Sequence, residues 1–153
     1  MKPTFKRLAS ASLGLMLAMS AQLSLANEDE KAEALFESVF NEGLDRSPVF
    51  QTYLGMKTNY DQWDDLSPKF EKEGFALTKQ QLERLHEIDS SKLSPDVALS
   101  YRLLEEQLKQ EIAFEQWRLH NYPVNQMFGI HSMVPAFLIN NHRVDSVSDA
   151  EAY

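Results

Sequence analysis

The residues able to do metal or acid-base chemistry are few. His86-Glu87 opens an H-E-x-x-H pattern, in which two imidazoles one helical turn apart hold zinc and the Glu serves as general base. Position 90 is Ser, so the second imidazole is missing. Without it the pair cannot hold the metal and place a base beside it, and His86 reads as a partly buried helix residue. His131 and His142 have Asp145 and Asp149 nearby, but their separation matches no short ligand spacing. Histidines flanking an apolar helix are more often hydrogen-bonded structural groups. There is no Cys, no G-x-S-x-G elbow and no glycine-rich phosphate loop. These residues therefore present no catalytic, metal-ligating or cofactor-binding set.

Two further groups remain. Asn125 and Gln126, together with His131 and His142, can hydrogen-bond, and they are the candidates to line a cleft and orient a peptide backbone. The competing role, tying the loop to neighbouring helices, is the commoner one for polar groups in an apolar stretch. Tyr60 and Trp63 stand among Asp61, Asp64 and Asp65. Aromatics among acids can build a sugar or cation site, although such rings more often plug a loop onto helices, which is what we expect.

The elements that must position these groups are helical. Ala32, Leu35, Phe36, Val39 and Phe40 recur at helical spacing over 27–44, with acidic residues at the start and a Schellman stop expected at Gly43-Leu44. Ser47-Pro48, Ser67-Pro68 and Ser94-Pro95 each give an N-cap with Pro at the first helical position. The first opens a short helix that Gly55 ends, followed by a loop over 55–66. The second runs to about Ile88, with a break expected near Gly74 and a capping box at Thr78. The third starts the longest helix, to Asn121, with a stripe of Val97, Tyr101, Leu104, Leu108 and Ile112 that Leu103, Phe114 and Trp117 widen. A short helix over Ser132–Ile139 should carry Pro135 where its missing N–H does little harm. No alternation marks a strand, so the predicted class is all-α.

Residues 1–26 read as a secretory signal peptide. Lys2, Lys6 and Arg7 precede an apolar run that is short for a membrane span, and Ser24-Leu25-Ala26 has the small-x-small form of a cleavage site. No cysteine follows for lipid attachment, so no stable membrane anchor is expected. Cleavage would remove those three cations and change the formal charge from −8 to −11. Nucleic acid, whose recognition needs Lys and Arg in excess, is a poor partner for such a chain.

The ordered run Tyr122-Pro123-Val124-Asn125-Gln126, Gly129, His131, Pro135, Leu138, His142, Val144-Asp145-Ser146-Val147 and Asp149 to Tyr153 resembles domain of unknown function 885. This is a large bacterial family of exported proteins, often classed as lipoproteins. "LGMKTNYDQWDDLS" and "SYRLLEEQL" are similar to its N-terminal region. The resemblance implies a mostly helical protein of several hundred residues, akin to zinc carboxypeptidase-like metallopeptidases, with an H-E-x-x-x-x-H zinc motif far downstream. It therefore implies zinc as cofactor of a full-length parent and none in residues 27–153.

At Tyr153 a capping box, Ser148-x-x-Glu151, opens a helix that has no length to propagate. Together with the resemblance, this gives the expectation that 27–153 is the N-terminal part of a larger helical domain, a scaffold whose partners are the remainder of its own chain and a peptide substrate. The alternative is a small self-contained periplasmic helical binding or chaperone-like module, and a third reading is a carbohydrate site at Tyr60 and Trp63.

Overall fold

The computed structural model describes residues 28–120 and 122–153, and their architecture is all-α, without a sheet among the described residues. The expected leader lies outside them. Helix α1 spans 28–45. It is followed by α2 (Pro48–Tyr53), α3 (Pro68–His86), α4 (Pro95–Phe114), α5 (Ile130–Asn140) and α6 (Val147–Ala152).

The three Ser-Pro pairs start α2, α3 and α4 as expected. Ser47 Oγ accepts the Phe50 N–H at 3.1 Å and Ser67 Oγ the Phe70 N–H at 3.2 Å. Ser94 makes no side-chain cap; its own N–H is held by Asp29 Oδ1 at 2.9 Å. Helices α1, α3 and α4 pack as an up-down-up bundle. Contacts of α3 with α4 and the turn after it run in opposite chain order, from Arg118–Glu71 through Lys79–Glu115 to His86–Glu105, so the two helices are antiparallel. Their shared core holds Ala32, Leu85, Leu93, Tyr101 and Leu108, with Leu35, Phe36, Leu82 and Leu104 packed around it.

Several local expectations are corrected. Gly43 has no positive φ, and α1 runs through it to residue 45; among the described glycines only Gly55 is left-handed, at φ +78°. No break occurs at Gly74, because α3 is continuous and the Thr78 hydroxyl donates to the Gly74 carbonyl at 3.1 Å instead of capping a new helix. Arg46 packs beside Gly74, its Nη2 3.4 Å from where a Cβ would stand, an ordinary contact distance. That guanidinium sits 3.7 Å from the centre of the Phe70 ring and donates to the Phe70 carbonyl at 2.6 Å.

Helix α4 ends at Phe114 in a 3₁₀ turn, Glu115–Trp117, short of Asn121. The turn tightens because the side-chain amide of Gln116 satisfies the Ala113 carbonyl at 3.1 Å. Leu103, Phe114 and Trp117 do not widen the buried stripe and are exposed. Nor is His86 partly buried: it is exposed and pairs with Glu105 at 2.9 Å. Helix α5 starts two residues early, so Pro135 lies inside it and leaves the His131 carbonyl without its helical donor.

One ion pair joins α1 to α3. Arg84 Nη2 donates to Glu42 Oε2 at 2.6 Å, and Gln81 Nε2 reaches the same oxygen at 2.8 Å. Arg84 first, then Gln81 and Ser38, hold the Glu42 carboxyl at about 2, against 4.5 ordinarily, while burial opposes them. A carboxyl whose folded pKa is depressed contributes stability above its unfolded value and loses it as pH falls through the folded one. We expect melting temperature to drop between about pH 4.5 and pH 2, with the Glu42 pair accounting for about 1 kcal/mol after solvent screening. Thermal melts of the parent chain and of Glu42→Gln test this. The variant should lose stability at pH 7, and the difference should shrink as pH falls below about 4.5 and vanish only below about 2, whereas a constant difference would remove the ion pair as cause.

Candidate functional site

The loop over 55–66 is fixed from both ends. Asp64 accepts the Val49 N–H on Oδ1 at 3.0 Å and the Ser47 hydroxyl on Oδ2 at 2.9 Å, which pins the loop to the start of α2. Buried Gln51 donates to the Leu44 carbonyl and accepts from the Asn59 side chain, each at 2.9 Å. Trp63 is thereby set 5.3 Å from Phe137 of α5, centre to centre, and Tyr53 of α2 meets the same ring edge-on at 5.2 Å. Tyr60 meets the segment that follows α5, whereas Trp63 plugs the loop onto α5, as expected. Between them lies a groove of 410 Å³ lined by Val49, Tyr53, Trp63, Asp64, Met133 and Phe137, among others.

Beside the groove, Tyr60 stacks on His142 at 3.9 Å and 17°, and Tyr153 covers the imidazole edge-on at 5.3 Å. The Tyr60 hydroxyl donates to the Arg143 carbonyl at 3.1 Å and accepts the Arg143 N–H. His142 is buried, and its Nε2 donates to the Asp149 carbonyl at 3.0 Å. Asp149 accepts Lys57 Nζ at 2.7 Å and the Asp145 N–H at 2.9 Å, both on Oδ2. Lys57 first, then that backbone N–H, hold the Asp149 carboxyl at about 2; Asp149 in turn raises the Lys57 ammonium. The cap of α6 is Ser146, whose Oγ accepts the Asp149 N–H at 3.2 Å, and not Ser148. Asp149 is drawn to this position by Lys57, 92 residues earlier, a pull that the local Ser148-x-x-Glu151 signal does not contain.

The other candidates sit elsewhere. Asn125 Oδ1 accepts the N–H groups of Met127 and Phe128, each at 2.8 Å, so it shapes the tight loop before α5. Gln126 is exposed on that loop. His131, in the first turn of α5, is exposed and packs over Gly129, where a Cβ would lie 2.7 Å from its Nδ1. Asn125 and His131 therefore flank one loop. His142 follows the far end of α5, about 16 Å from His131 at 1.5 Å per helical residue.

Among the described residues no three His, Cys, Asp or Glu side chains converge to hold a metal ion. His131 and His142 are too far apart to share one, and the His142 Nε2 and Asp149 Oδ2 are already engaged. These residues do not fit zinc. The stacked His142 imidazole and the Lys57–Asp149 ion pair tie the 55–66 loop to the segment between α5 and α6. Sequence reasoning missed the groove, because Phe137 and Asp64 gain their roles from partners distant in the chain. The only signal was the density of aromatic and acidic residues over 60–65.

Comparison with curated proteins and with solved structures gave no match. Residues 48–153, from the first residue of α2 through α6 and both halves of the groove, match one family. The chain belongs to the family described as "Bacterial protein of unknown function (DUF885)".

Proposed function

We propose that this chain is the N-terminal scaffold of an exported, peptidase-like hydrolase and forms one wall of its substrate cleft. The observation that carries the reading is the apolar face of α5. Ile130 and Met133 are each 58 % exposed and Leu66 across the groove is 80 % exposed, an apolar surface of the kind that covers a peptide or further polypeptide. The acidic balance favours such a partner over nucleic acid. The resemblance to zinc carboxypeptidase-like proteins supports hydrolysis as the chemistry. In this reading the zinc ligands are not among the described residues, and Asn125, Gln126, His131 and His142 shape the wall without performing chemistry.

Among the described residues no helix is long and apolar enough to cross a membrane. The experiment is to purify the native gene product from fractionated bacteria, read its N-terminus and assay peptide hydrolysis. We expect a periplasmic or secreted species that begins at Asn27 and hydrolyses peptides until chelation, with zinc restoring activity. A species that retains Met1–Ala26 in the cytoplasmic fraction would overturn export, and a purified native protein without peptide hydrolysis would overturn the hydrolase reading.

A further inference from the structure

We propose that the groove between α2, the 55–66 loop and α5 binds a compact organic cation, a tertiary or quaternary ammonium whose charge is wrapped in alkyl groups. Its 410 Å³ lies within the range of small-ligand pockets, about 300–1,000 Å³. Its floor is Phe137, only 7 % exposed, and Tyr53 and Trp63 stand at 65° and 57° to that ring. Rings set at such angles give a cavity walled by both faces and edges, and the electron-rich faces attract cations.

The single charged residue on the groove is Asp64. Its carboxylate accepts two hydrogen bonds, from Ser47 and Val49, out of about four it can accommodate. Among the described residues no Lys, Arg or His nitrogen lies within 4.0 Å of it. The nearby cations are committed elsewhere: Lys57 to Asp149 and Asp145, Arg46 to the Phe70 carbonyl and ring. A neutral guest without a hydrogen-bond donor would strip water from the remaining acceptor sites of Asp64 and return nothing, one with a donor would return a hydrogen bond but no charge, and an anion would be repelled. A cation satisfies the carboxylate and the rings together, and the formal charge of −8 draws it to the chain.

The test uses choline and its neutral isostere, 3,3-dimethyl-1-butanol, titrated by NMR at fixed salt into the isotopically labelled chain, following the Met133 methyl and the amides of α5. Choline should shift these signals saturably and bind about tenfold tighter than the alcohol. Asp64→Asn, which keeps one acceptor oxygen for the Val49 N–H and can donate its amide to the Ser47 hydroxyl, should weaken choline about tenfold and leave the alcohol unchanged. If that variant does not fold, Trp63→Leu keeps an apolar side chain while removing a π face, and should weaken choline about fivefold more than it weakens the alcohol. Equal affinity for both compounds, or no saturable shift of groove signals, overturns the proposal.

Discussion

Leu85→Ala is expected to lower the free energy of unfolding by about 3 kcal/mol, read from urea denaturation at neutral pH. Leu85 is 0 % exposed on α3 and meets Ala32 of α1 and Tyr101 and Leu108 of α4, so it sits where all three long helices converge. Truncation removes buried methyl groups from water-free surroundings and leaves a cavity that three rigid helices cannot close. The buried core of the described residues is small, and net stabilities of such domains are about 5–15 kcal/mol, so this loss is a large share of the total. Leu103→Ala is the internal control. Leu103 lies on α4 but is 64 % exposed, and its substitution should change stability by less than about 0.5 kcal/mol. Equal losses at the two positions would mean that the bundle does not close on Leu85.

Phe137→Ala should cost about 3 kcal/mol too, but locally. Phe137 is the buried anchor of α5, held by Tyr53 and Trp63 at 5.2 and 5.3 Å, and α5 lies outside the α1, α3 and α4 core. Losing the ring removes its apolar burial and two aromatic contacts at once. The expected result is faster amide hydrogen exchange over 130–140 and altered Trp63 emission, with protection in α3 and α4 retained. Uniform loss of protection along the chain would show instead that α5 and the bundle unfold as one unit. The pair of substitutions thus separates two cooperative regions, the three-helix bundle and the loop-plus-α5 region that carries the groove.

What the sequence determined by itself is the part written in neighbouring residues. The all-α class follows from apolar spacing, and the starts of α2, α3 and α4 follow from Ser-Pro pairs, where an oxygen acceptor and a fixed φ act within one turn. Gly55 ends α2 for the same local reason, its left-handed φ. The Glu105–Lys109 pair at 2.7 Å is likewise a matter of helical spacing.

Only the tertiary structure decided between local signals of similar strength. Gly74 offered a break, but the helix continues through it and Arg46 packs alongside. Ser148 offered a cap, yet α6 starts two residues earlier on Ser146, with Asp149 held by Lys57. His142 might have been a ligand by type; Tyr60, 82 positions away, stacks on it and the Asp149 carbonyl takes its Nε2 hydrogen bond. Differences between such options amount to about 1 kcal/mol, and an aromatic stack formed across the fold contributes about as much, so contacts absent from the local sequence are large enough to settle the outcome.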